Sequence, residues 1–342
     1  MRIMKKTGVF FITAVLCCGI ISAAPAKKSA VTANASASSS AWIDNAQLAH
    51  NKAGSVKVYF TKDISPAGIQ KVYVALGRKA EGKNVAVKVS TGEAGGNNYL
   101  HASLIGDFVK SIHGTIVECN TAYGGSRSTT AMHRQVAKDH GFTSFANVDI
   151  MDEDGSVSIP VQNGRHLKEA MLGKNWTKYD FYVILSHFKG HAMGGFGGAI
   201  KNIAIGMSSA AGKMNVHSAG RTSKRFVWQT PQNDFLESMA EDTKAVTDKL
   251  GSRVLYVSVM NRLSVDCDCD SHPAEPDMHD IGIVASLDPV AIDQACVDFI
   301  YASPDGKSLI ERMESRNGVH TLEYGEQIGL GSRTYTLVNL DK

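Results

Sequence analysis

The sequence predicts an α/β protein: a largely parallel sheet with flanking helices. Two observations carry this. From Val56 onward, short β-branched runs alternate with amphipathic stretches, the pattern of strands joined through helices. Several amphipathic stretches also carry local start or stop signals, such as Ser65–Pro66, Asp288–Pro289 and Gly141.

In chain order, "VKVYF" reads as a strand and "SPAGIQKVYVALGRKA" as a helix with Ser65 as N-cap and Pro66 in its first turn. "NVAVKVS" is a strand, "YLHASLIGDFVKSIH" a helix, "GTIVECN" a strand, and "STTAMHRQVAKDHGF" a helix stopped at Gly141. "ANVDIMD" and "DFYVILSHF" are strands, while "AIKNIAIGMSS" and "DFLESMAEDTKAVTDKLG" are helices. "RVLYVSVMNRL" and "IGIVAS" are strands, and "DPVAIDQACVDFIYAS" is a helix capped by Asp288. Residues 51–342 suit one large domain or two tightly joined lobes, 51–175 and 176–342, with a cleft between them.

The N-terminus reads as a targeting segment. "MRIMKK" is basic, "TGVFFITAVLCCGIISA" is apolar, and "AAPA" offers small residues for cleavage, so 1–26 is expected to be a signal peptide. No twin-arginine pair precedes the apolar run, so the expected route is general secretion, to the periplasm or the outside. Once the segment is cleaved, no stable membrane span remains. Residues 27–50, opening "KKSAVTANASASSS", read as an Ala/Ser-rich tether. Cleavage removes Arg2, Lys5 and Lys6 and no acid, leaving basic and acidic residues balanced. No nucleic-acid partner is therefore expected. Cys119, Cys267, Cys269 and Cys296 remain, too few for a disulfide scaffold of this size. Cys296 falls on an apolar helix face and reads as core.

Three polar segments follow strands, where α/β proteins gather their function. The first is "SHFKGHAMGGFGGAIKN". Gly194, Gly195, Gly197 and Gly198 lead into a helix, and a glycine turn there makes an anion site from free backbone N–H groups. His187 and His191 precede it, and Lys201, Lys213 and His217 follow. Histidines supply metal ligands or acid–base groups, and a desolvated lysine serves as nucleophile or anion partner. The second segment is "DCDCDSH". Cys267 and Cys269, with His272 in reach, suit a soft metal ion or an iron–sulfur cluster, or else a disulfide within the pair or to Cys119. The third is "NTAYGGSRSTTAMHR", in which Arg127 is placed to fork onto a carboxylate or phosphate and His133 to face the cleft.

Four blocks, "ECNTAYGGSRSTTAMHRQVAKDHGF", "LSHFKGHAMGGFGGAIKNIAIGMSSAAGK", "CDCDSH" and "DIGIVASLDPVAIDQA", resemble, in this order, the family known as domain of unknown function 362. The resemblance covers most of residues 56–300. It implies no settled activity but a frequent association with iron–sulfur proteins; the added ferredoxin cysteines of many members are missing here. More distantly, "HAMGGFGGAIK", with His217 sixteen residues after Lys201, is similar to the active-site segment of the nickel-pincer lactate racemases. That resemblance implies His191 as acid–base catalyst, Lys201 as tether of the pincer cofactor and His217 as nickel ligand, with Arg127 and His133 handling substrate. The aspartate-threonine-arginine signature of those racemases is replaced here by "VKVSTGEAGGNN".

Two functions follow as expectations. One is a metal- or cofactor-dependent enzyme of redox or isomerase type on a small anionic substrate, worked by the His191–Lys201 loop. The other is a non-catalytic metal or iron–sulfur protein using Cys267 and Cys269.

Overall fold

The structure is a computed structural model describing residues 41–44, 46–54, 56–227 and 229–342. The segments read as signal peptide and as most of the tether lie outside the described residues. The chain runs through α1 (Ala41–Asp44), β1 (Lys57–Thr61), α2 (Pro66–Ala75), β2 (Val85–Lys88), α3 (Ala102–Ser111), β3 (Gly114–Glu118), α4 (Thr130–Asp139) and β4 (Val148–Ile150). A hairpin of β5 (Ser156–Pro160) and β6 (Glu169–Gly173) precedes β7 (Phe181–His187), and a second hairpin of β8 (Lys189–His191) and β9 (Gly195–Gly197) follows it. Then come α5 (Ala199–Ala204), α6 (Ala210–His217), α7 (Gln232–Leu250), β10 (Val254–Met260), β11 (Gly282–Ser286), α8 (Pro289–Ala302), α9 (Lys307–Ser315), α10 (His320–Gln327) and β12 (Thr336–Asn339).

Eight strands form one sheet in the order β12-β1-β11-β10-β7-β2-β3-β4. Only β11 runs against the rest, pairing antiparallel with β1 and β10. The expected α/β class with a largely parallel sheet is therefore what the chain forms. β2 pairs with β7, so residues before and after 175 share this sheet. Alternation along the strands divides the core. On β7, Tyr182 and Ile184 face a layer built from α5, α7 and α8, while Phe181, Val183 and Leu185 face α2 and α3. Both faces are covered, which is why β2, β7 and β10 are buried along their whole length. Among the described residues, no helix is long and apolar enough to cross a membrane.

The local start signals act as expected. The Ser65 side chain accepts a hydrogen bond from the Gly68 amide, and Asp288 accepts from Val290 and Ala291. Elsewhere the elements differ from the sequence expectation. The helix expected over 199–209 ends at Ala204, and a new one begins after Ser209, whose hydroxyl caps the Gly212 amide. Between the two helices the chain passes close to its neighbours: a Cβ on Gly206 would lie 2.2 Å from the Asn202 carbonyl oxygen and 2.6 Å from Lys88 Nζ. The loop after β7 is also more ordered than a glycine turn, because β8 and β9 pair within it.

Asp288 also accepts from the Ser332 amide, tying the segment after α10 to the start of α8. Replacing it with alanine is expected to lower stability by about 1–2 kcal/mol, measured by urea unfolding; an unchanged midpoint would show that the cap contributes nothing.

Candidate functional site

β2 continues to β3 and β4 on one side, whereas β7 continues to β10 on the other, so the connections part between the neighbours β2 and β7. In an open parallel sheet, the crevice outside the carboxyl ends of the strands at such a point is the natural ligand position. The loops after β2, β3, β7 and β10 all meet there, around Asp268. Its carboxylate accepts from His187 Nδ1 at 2.8 Å and pairs with Lys189 Nζ at 2.8 Å, and its carbonyl accepts from the Glu93 amide at 2.8 Å. The Tyr123 hydroxyl donates to the Cys269 carbonyl at 3.3 Å, and the Gly190 amide to Ser264 at 2.8 Å. A Cβ on Gly190 would sit 2.2 Å from the Val265 carbonyl oxygen, so only glycine allows that approach. Burial opposes the Asp268 charge, but Lys189 and His187 outweigh it and hold the carboxyl well below the usual range.

With Asp268 turned inward, its neighbours turn toward the crevice. Donor atoms of His191, Cys267 and Cys269 all lie within 4.8 Å of one another. Lys201 Nζ lies 3.7 Å from Cys267 Sγ. The two thiols hydrogen-bond to each other. That bond, with Lys201 and Lys189 acting against burial, holds Cys267 well below the ordinary thiol range and drives Cys269 well above it.

The two histidines of this region have opposite tautomers, each fixed by backbone. His191 Nδ1 accepts from the Gly194 amide at 2.8 Å and the Met193 amide at 3.3 Å, so its proton sits on Nε2. His217 Nδ1 donates to the Lys213 carbonyl at 2.7 Å, which leaves a lone pair on Nε2, and its ring stacks on Phe235. Burial, then the charge of Lys201, pushes His191 well below the ordinary histidine range. Burial likewise lowers His217 to about 4, despite its bond to Lys213. Both rings are neutral at neutral pH.

The expected anion site at the glycine turn is filled from within. Asp293, on α8, accepts from the Ala199 amide at 2.7 Å and the Ile200 amide at 3.0 Å, occupying the start of α5. A Cβ on Gly198 would lie 2.3 Å from an Asp293 oxygen. Gly197 lies against the stems of Lys189 and Lys201, and Gly195 packs on Gly318. The glycines admit the protein's own groups, and Gly194 orients His191.

Residues 85–298 match the model of the family described as "Domain of unknown function (DUF362)". The chain belongs to this family. The family's match begins with the first residue of β2 and ends inside α8, so it contains every loop that builds the crevice. No curated protein matches the chain. Among solved structures, the lactate racemase apoprotein from Thermoanaerobacterium thermosaccharolyticum is similar at 14% identity, over 72% of this chain and 57% of that one, with a TM-score of 0.43. A structural-genomics protein from Thermotoga maritima is similar at 10% identity, over 77% of this chain and 58% of that one, with a TM-score of 0.36. The chain thus spans less than two thirds of the length of either.

The remaining sequence candidates lie elsewhere or are already engaged. His187 has an oxygen against each ring nitrogen, Asp268 at 2.8 Å and the Asn261 carbonyl at 2.6 Å, which leaves neither for a metal. Arg127 lies buried between Glu93 at 3.3 Å and Glu118 at 3.5 Å, so its fork is spent inside the protein and not on a ligand. His133 is wholly buried behind Glu118, 3.4 Å away, and does not face the cleft. Lys213 donates inward to the Ser208 carbonyl. His272 is exposed, outside the His191–Cys267–Cys269 group, and hydrogen-bonds with Ser271. Cys119 donates to the Met207 carbonyl at 3.2 Å, its thiol pushed up to about 12 by burial, and Cys296 lies in the core as its helix position predicts.

Sequence reasoning passed over Asp268, Asp293 and Lys88. Lys88 ends β2, almost wholly buried, and donates to Asn202 Oδ1 at 2.9 Å; burial lowers its amine to about 8, Glu118 partly opposing. The available signal was a lysine inside the apolar run "NVAVKVS".

Burial raises Asp293 from an ordinary 3.8 to about 7, the two amides only partly opposing. Between those values the folded protein keeps a proton that the unfolded chain has lost, so this group's stabilisation falls as pH rises. From pH 4 to 7 the wild type is expected to lose on the order of 4 kcal/mol more stability than Asp293→Asn. Urea unfolding of both proteins across that range tests this; parallel curves would contradict it.

Proposed function

We propose that this chain is a metal-dependent enzyme of redox or isomerase type whose Cys267, Cys269 and His191 take one thiophilic ion beside Lys201. The observation that supports it most is the convergence of these three donors within 4.8 Å. Two sulfurs and one imidazole suit a soft or borderline ion, and three protein ligands leave a coordination position for substrate. An iron–sulfur cluster fits less well. Among the described residues, Cys119 and Cys296 are buried elsewhere, so the pair cannot complete four thiolates.

The substrate is a small anion. Lys201 is partly buried with Cys267 as its hydrogen-bond partner, and the buried Asp268 is already paired with Lys189 and bonded to His187. A bound ion would supply Lewis-acid polarisation of a substrate oxygen. Lys201 would orient the anion by charge, and His217 Nε2, held as an acceptor, would take a proton. Loading would displace the Cys269 proton, and for His191 to ligate as a neutral imidazole it would either shift its proton from Nε2 to Nδ1, giving up the Gly194 and Met193 amides, or bind through Nδ1 in their place. Export by the general secretory route belongs to the same proposal, with the ion captured after translocation, in the periplasm or outside the cell.

Cobalt(II) added anaerobically to the metal-free protein tests the centre. The expected outcome is a tetrahedral thiolate–cobalt spectrum that Cys267→Ser with Cys269→Ser abolishes; an unchanged spectrum in the double variant would sink the site. Small carboxylates should shift that spectrum, and Lys201→Ala should keep the metal yet weaken the carboxylate effect by roughly tenfold. Metal binding with no anion response would favour a protein that holds metal without catalysis.

A further inference from the structure

The Cys267–Cys269 pair has a second capability that does not require an ion. The segment forms a tight turn closed by the Asp270 amide donating to the Cys267 carbonyl at 2.9 Å, which draws residues 267 and 269 together. The Cys269 amide donates to Cys267 Sγ at 3.4 Å, and the two sulfurs lie within 4.8 Å of each other. Asp268 fixes the turn from the opposite side through His187 and Lys189. Cys269 is partly buried and Cys267 is buried beside it, so the side on which a small reagent meets the pair is that of Cys269. Lys201, 3.7 Å from Cys267 Sγ, supports a sulfur anion there.

We propose that Cys267 and Cys269 form a reversible disulfide on reaction with a hydroperoxide, which makes the pair a redox-modification site. The proposal shares its cysteines with the metal centre but not its ion. One sulfur, as thiolate, attacks the hydroperoxide. An S–O bond forms as the O–O bond breaks, and the departing oxygen takes up a proton to leave as water or alcohol. The neighbouring thiol then loses its proton and attacks the sulfenic sulfur. The S–S bond forms as hydroxide leaves, which that proton converts to water. Each sulfur loses one electron, and the hydroperoxide gains two. Closure removes two of the three metal donors at once and changes the sulfur that partners Lys201, so the oxidation state of the pair determines whether the centre can load.

The test uses metal-free full-length protein and stoichiometric hydrogen peroxide. The expected result is a loss of two hydrogens' mass from the peptide carrying both cysteines, reversed by dithiothreitol, with Cys119 and Cys296 left reduced. Cys269→Ser should show no such loss and should instead gain oxygen at Cys267. Oxidation of the wild type straight to sulfinic acid without a disulfide, or unreactive thiols, would overturn the proposal. Cobalt uptake by the reduced protein is read separately: a disulfide without cobalt binding removes only the metal reading, and cobalt binding without a disulfide removes only this one.

Discussion

The crevice depends on one buried charge. Asp268 carries no accessible surface on its side chain, yet it holds two positive or proton-donating partners and, through its carbonyl, the loop after β2. A buried ion is tolerated only when its oxygens are matched by good partners, since desolvation alone costs several kcal/mol. Here His187 comes from the end of β7 and Lys189 from β8, so matching the charge also brings strand ends and loops together. The geometry of the two cysteines follows from it. With the residue between them fixed inward, Cys267 and Cys269 project toward His191 and Lys201.

This hub lies where it does because of sheet topology. Parting connections at β2 and β7 open a gap above the sheet, and the loops after four parallel strands lean into it. Polar residues at those strand ends, among them Lys88, Glu118 and His187, are buried with partners and not lost to solvent. Arg127 belongs to the same framework. Set between Glu93 and Glu118, it ties the loop after β3 to the end of β3 and to the loop after β2.

What was legible in the sequence was local. Ser65–Pro66 and Asp288–Pro289 fix helix starts through bonds spanning two or three residues, so the chain states them outright. The members of the donor group were also visible, because cysteine, histidine and lysine next to glycine are chemically distinctive. Their partnerships were not. Nothing in "DCDCD" says that the middle aspartate turns inward while its neighbours do not, since that depends on His187, eighty-one residues away. The glycine turn before α5 looked like an anion site because its true occupant, Asp293, stands ninety-four residues further on. His187 and Arg127 read as ligand-binding groups for the same reason. A side chain's freedom to bind depends on contacts that spacing does not show.

Asp293 has one more consequence. It lies on α8 and yet sets the start of the helix that carries Lys201. The stretch from Ser186 to Asn202 is therefore not a portable cassette. Grafted onto another scaffold, it would bring its glycines and its lysine but not the carboxylate that anchors them. Modularity in this fold resides in the sheet together with α8, and the chemistry-bearing loop can be transplanted only with both.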